Sequence, residues 1–193
     1  MTETLNPKDF NLDDWALDAN LPEESADVYK RADVVSELSA LKRQIETHRE
    51  AFAGAEKTAG DVSGIRVLEA KYSELVETFA HSKLTIYVRA ITSDEREALR
   101  AAHEERTKTW DPQRKNREYG FDLLAASITA VRPLDGDRTD VRWDVHQIKK
   151  LEQAIGGSQM SLILAAREVA QNQVPAVDAD FLHKPSGSDD GQD

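Results

Sequence analysis

The sequence contains no cysteine, which excludes disulfides, thiolate nucleophiles and cysteine-based zinc sites together and leaves an intracellular folding compartment open. It also lacks positive charge: 25 Lys and Arg stand against 36 Asp and Glu, a formal net charge of -11. A field of that sign repels phosphate backbones and anionic headgroups, so nucleic-acid and membrane partners are disfavoured and another protein is the expected partner. No stretch approaches the roughly 20 apolar residues of a membrane span. The opening MTETLNPKDFNLDD has neither the basic nor the apolar region of a signal peptide. A soluble chain is expected.

Catalytic signatures are missing too: there is no phosphate loop, dinucleotide fingerprint or serine-nucleophile elbow. The histidines, His48, His81, His103, His146 and His183, are scattered without a second ligand at metal-binding spacing, and His103-Glu104-Glu105-Arg106-Thr107 begins like a zinc-protease helix but lacks its second histidine. Each reads as a surface or seam residue. Paired carboxylates such as Asp13-Asp14, Glu23-Glu24 and Glu104-Glu105 fall in arms or on exposed helix faces, where no burial would raise a pKa for acid-base work. No cofactor, metal site or enzymatic activity is expected.

What is present is helical periodicity between acidic ends. Residues 1–27 carry eight carboxylates against Lys8, which opposes compaction and predicts an acidic arm. Within it Asn11 can cap a short helix bearing Trp15 and Leu17, and Trp15 either docks on a partner or packs back on its own domain. From Val28 to Phe52 the positions Val34, Leu38, Leu41, Ile45 and Phe52 recur at steps of three and four, and Ile65, Leu68, Tyr72, Leu75 and Phe79 repeat the pattern after a glycine-bounded break at 54–60. This predicts an antiparallel helical hairpin over 28–82, whose seams cover each other or offer part of themselves to another chain.

Residues 83–91 alternate at period two and give the one expected strand. Thr92 with Glu95 forms a capping box for a helix to about Glu105. The basic stretch 106–117 reads as a solvated loop meeting the chain's own acids or an acidic partner, and Phe121–Val131 as a buried helix ended by Pro133. A helix with Ile148, Leu151 and Ile155 stops at Gly156-Gly157, and Ser158 caps a last one carrying Met160, Ile163, Leu164 and Val169. The expected fold is mainly α: a helical hairpin, a small helical domain over 83–175 with one short strand, and disordered acidic termini, the second spanning 176–193.

In order, Asp14-Trp15, Leu21-Pro22-Glu23, Val28-Tyr29-Lys30-Arg31-Ala32-Asp33, Thr85-Ile86-Tyr87-Val88-Arg89-Ala90-Ile91, Asp94-Glu95-Arg96, Ala179-Asp180-Phe181 and Pro185-Ser186-Gly187 resemble the tail assembly chaperones, often labelled minor tail proteins, of siphophages infecting actinobacteria. The resemblance covers most of the chain through short motifs. It implies a protein encoded just before the tape measure protein, binding it, keeping it soluble and helping recruit the tail-tube protein in the host cytoplasm, and absent from the mature virion. Many family members are also made in a longer form by a programmed frameshift near the gene's end, which makes such a form of the chain itself an expected partner; a homo-oligomer is also compatible. Under this reading Trp15, Leu38, Leu41, Ile45, Leu68, Leu75 and Phe181 are the candidate partner-binding residues, supplying apolar grooves for client helices. The rivals are a structural tail protein retained in the virion, a coiled-coil adaptor and, third, an enzyme.

Overall fold

A computed structural model describes residues 11–17, 19–51 and 59–173. The protein is mainly helical, with a small antiparallel sheet of order β1-β2-β3-β4. The expected acidic arm over 1–27 gives way at Glu23 to strand β1, Glu23–Tyr29, because Ala26 and Val28 supply an apolar face that Glu24 only begins. Ala26 and Val28 point into the core while Ser25 and Asp27 point out, the period-two pattern of a half-buried strand. Before it, helix α1 spans Leu12–Leu17, with the Asp13 N–H donating to Asn11 Oδ1 at 3.0 Å as a capping asparagine does. Residues 1–10 and the tail 176–193, for which disorder is expected, lie outside the described residues.

Beyond β1 a 3-10 turn at Ala32–Val34 leads into α2, Val35–Ala51, and α3 runs Ala59–His81. The first hairpin helix therefore starts later than Val28, since Val28 and Tyr29 belong to the sheet. The two helices pack on each other, and α3 delivers the chain to β2, Lys83–Arg89, which pairs antiparallel with β1 from Tyr29↔Lys83 to Glu23↔Arg89. The helical hairpin is thus an insertion between two neighbouring strands. Its base is held where the Lys30 N–H donates to the Ser82 carbonyl at 3.2 Å and the Arg31 N–H to Ser82 Oγ at 3.3 Å. The Tyr29 ring stacks on Phe79 with centroids 4.3 Å apart.

Thr92 caps α4, Ser93–Arg106, in a full capping box with Glu95. Asp111 caps α5, Pro112–Ser127, with proline in its first turn, where a missing N–H costs nothing. The buried helix expected to run to Val131 ends at Ser127, and Ile128–Pro133 forms β3, antiparallel to β2, because the β-branched Ile128, Thr129 and Val131 extend the sheet better than the helix. The two-residue strand β4, Thr139–Asp140, follows the turn at Asp135-Gly136-Asp137 and forms the edge of the sheet. Four strands therefore replace the one expected.

The last helix, α6, spans Val145–Asn172 behind a capping box of Asp144 and Gln147. It packs on β1, β2 and α5, so that Ile148, Met160 and Ile163 meet Ala26, Val28, Ile86, Val88, Phe121, Leu124 and Ile128 in one core. Gly156 ends the first helical stretch as expected: at φ 77°, ψ 167° it is non-helical and divides α6 into two segments across a kink. Ser158, expected as the cap of the following helix, lies in the first turn of the second segment, its carbonyl accepting from Ser161 Oγ at 2.6 Å. The Gly156 backbone conformation is open essentially to glycine alone. A Cβ there would meet nothing within 4 Å, so Gly156→Ala isolates backbone strain: it should lower the unfolding free energy in urea by about 1–3 kcal/mol, and unchanged stability would contradict the kink.

Candidate partner-binding surfaces

The seven expected partner-binding residues fall into three groups. Leu41 and Ile45 are buried, on the helix that packs against α3, and Leu38, Leu68 and Leu75 are half-buried along the same seam. Those five residues hold the hairpin together. The side chain of Trp15, on α1, and the whole of Phe181 lie outside what is described. What the hairpin shows to water is instead Val35, Val67 and Val76, set among ion pairs such as Arg49–Glu69 and Lys71–Glu37 that bridge the two helices and contribute little at this exposure.

A more continuous apolar surface lies on the second half of α6. Its core side is fixed by Met160, Ile163 and Ala170, all buried. Of the ten exposed residues between Gly157 and Gln173 only Glu168 is charged, in a chain that is 32% charged overall. Leu162 is 50% and Val169 53% exposed, and with Ala165 they follow i, i+3, i+7, one side of a helix. Leu164 stands exposed on the other flank. The scaffold is held in register by Gln159, whose side-chain amide accepts from the Tyr29 N–H at 2.6 Å and donates to the Tyr29 carbonyl at 2.8 Å. At the far end Gln171 bonds both the N–H and the carbonyl of Ile91. Core and surface alternate here as the spacing predicts, and the low charge of the surface half emerges only once the buried positions are known.

The basic stretch, expected as a loop, is helical from Pro112 onward, ahead of the expected start at Phe121, because Asp111 and Pro112 begin α5; its cations meet the chain's own acids. Lys108 pairs with Glu105 and Arg117 with Glu152, while Arg114 lies over Trp110 at 4.0 Å. Arg106 turns inward, donating to Asp122 at 2.7 and 3.0 Å. His103 Nδ1 is 2.7 Å from the same carboxylate, and because an ionised carboxylate only accepts, Nδ1 is the donor. His103 and Asp122 are both buried, so of the expected surface and seam positions His103 takes a seam, between α4 and α5, and Asp122 is a single buried carboxylate apart from the exposed pairs. The legible signal was Asp122 inside the apolar run Phe121–Leu124, a place where a carboxylate requires a partner. His103 Nε2 is buried with no partner among the described residues. The arrangement pins α4 to α5. Asp122→Ala should cost on the order of 3 kcal/mol in chemical denaturation, since it strands a buried donor and a cation together; a loss under about 1 kcal/mol would mean that the cluster is not structural.

A cleft of about 750 Å³ opens between the end of α5 and the β4–α6 connection, with Arg89, Arg138, Arg142 and Trp143 among its lining. Arg138 is held by Glu23 at 2.7 and 2.9 Å. Burial pushes the Glu23 carboxyl up, but hydrogen bonds from Arg138 and Thr129 outweigh it and leave the pKa lowered. Arg89 forms a two-pronged pair with Glu95, and this pair, aided by the Thr92 N–H, holds Glu95 down at about 2. A carboxyl depressed this far stabilises the fold above its ordinary pKa of 4.5 and loses that contribution as pH falls from 4.5 to about 2. Glu95 is 40% exposed, so water screening leaves about 1 kcal/mol rather than the full linkage value. Glu95→Gln should remove that pH-dependent increment between pH 5 and 2; an acid-unfolding profile identical to the parent's would contradict it.

Among the described residues no group of three or more His, Cys, Asp or Glu could hold a metal, and no helix is long and apolar enough to cross a membrane. Compared with models of known protein families, with curated proteins and with solved structures, the chain matches none.

Proposed function

We propose that this chain is a non-enzymatic binding protein that chaperones a long helical client during phage tail assembly, the client being the tape measure protein. The observation that carries the reading is the nearly uncharged outer face of α6, where Leu162, Ala165 and Val169 are exposed on a helix whose opposite side is locked into the core. A client helix can lay an apolar stripe along Leu162, Ala165 and Val169 with Glu168 as the one charge beside it, packing helix on helix. The charge of -11 keeps such complexes apart and soluble.

The family resemblance in the sequence supplies the identity of the client and the further roles: help in recruiting the tail-tube protein, action in the host cytoplasm, and absence from the mature virion. The rival reading as a structural tail protein predicts the chain in purified particles at fixed stoichiometry.

The test is co-expression with the large helical protein encoded beside it, scoring how much client remains soluble and co-purifies. The parent chain should keep the client soluble. The double variant Leu162→Glu, Val169→Glu changes exposed positions, so its stability should stay within about 0.5 kcal/mol of the parent while the client precipitates. A client that is equally soluble with the double variant, or without the chain altogether, would overturn the reading.

A further inference from the structure

We propose that the sheet edge formed by β4 and its flanking residues is a second binding site, which takes an extended acidic peptide from a protein partner as an added strand. Three observations converge on it. First, β4 is an edge strand: it pairs with β3 through Ala130↔Asp140 and Val131↔Thr139, and the ladder continues where the Val141 N–H donates to the Thr129 carbonyl at 2.8 Å. In an antiparallel pair successive residues turn their backbone groups to opposite sides. With Thr139 and Val141 facing β3, the N–H and carbonyl of Asp140 between them face outward along the open edge, a template for another strand.

Second, the edge carries a free cation. Arg138 is engaged by Glu23, and Arg89 by Glu95, whereas Arg142 is exposed and has no hydrogen-bond or ion-pair partner among the described residues. A guanidinium in this position offers a forked donor to an incoming carboxylate. Third, the cleft of about 750 Å³ beside it is lined by Val141, Ile128 and Trp143 as well as the arginines, so an apolar side chain adjacent to the acidic one finds cover there.

The lining also decides between classes of anion. Glu23 and Asp140 sit on the same cleft as Arg142. A phosphate backbone carries a charge on every nucleotide and would bring some of them against Asp140, whereas a peptide presents discrete carboxylates that can be placed at Arg142 and kept from Asp140. The overall negative field is screened over about 8 Å in physiological salt, so local pairing sets the affinity. This site is distinct from the α6 face and takes a different shape of partner, a strand rather than a helix.

Binding to the full chain is measured by fluorescence anisotropy with four labelled probes: a short peptide alternating Glu and Val, the same peptide with Gln for Glu, a helix-forming Glu/Ala peptide of equal charge, and a single-stranded oligothymidylate. The alternating Glu/Val peptide should bind at least about tenfold more tightly than the other three, a gap of roughly 1.4 kcal/mol. Arg142→Glu, at an exposed position that leaves the core untouched, should weaken it by a similar factor, and Arg142→Lys should restore part of the loss. Equal binding of the Glu and Gln peptides, tighter binding of the helical peptide or the oligonucleotide, or an Arg142→Glu variant indistinguishable from the parent would each overturn the proposal.

Discussion

Everything in this molecule depends on covering one face of a small antiparallel sheet. Ala26, Val28, Ile86, Val88 and Ile128 make a surface that no two-stranded ribbon could leave in water. α6 covers it, with Ile148 and Ile163 fully enclosed. The kink at Gly156 divides that helix, so two straight segments rather than one lie across a sheet that twists by nature. Gln159, bonded to both backbone groups of Tyr29, fixes where the second segment sits. The opposite face of the sheet needs no cover because its polar groups answer one another: Asp27 with Lys83 and Thr85, Glu23 with Arg138 and Thr129.

The helical hairpin has a different standing. It leaves the sheet after Tyr29 and returns at Lys83, residues that are direct partners in the ladder. Its own buried residues, Leu41 and Ile45, lie outside the main core. The hairpin can therefore open by itself at less than the global unfolding free energy, as locally stabilised units do. The surface proposed to meet a client belongs to the sheet-backed α6, the part that presents its face in one fixed position, so little ordering entropy is lost on binding.

Local chemistry was legible in the sequence and long-range pairing was not. Thr92 with Glu95, Asn11, the paired seams of the hairpin and strand β2 all follow from periodicity and capping, which depend on residues a few positions apart. β1 was hidden because a strand with one solvated face can carry as many acids as an unfolded arm. β3 was hidden because Ile128 continues the spacing of α5 before the chain turns into the sheet. The bond between His103 and Asp122, and the ties of Gln159 to Tyr29 and Gln171 to Ile91, join residues whose spacing holds no period. For the candidate sites, apolar periodicity picked out Leu41 and Ile45, and periodicity of that kind marks what a helix buries. The exposed stripe of α6 and the free Arg142 become visible only when the partners of their neighbours are known.

The most direct test of this account is native-state hydrogen exchange along the free chain at increasing denaturant. The amides of β1, β2 and both halves of α6 are expected to exchange together, through global unfolding, while those of α2 and α3 exchange earlier through a separate opening. If residues 158–172 instead exchanged with the hairpin, ahead of the sheet, α6 would not be the fixed platform on which both the fold and the proposed binding face rest.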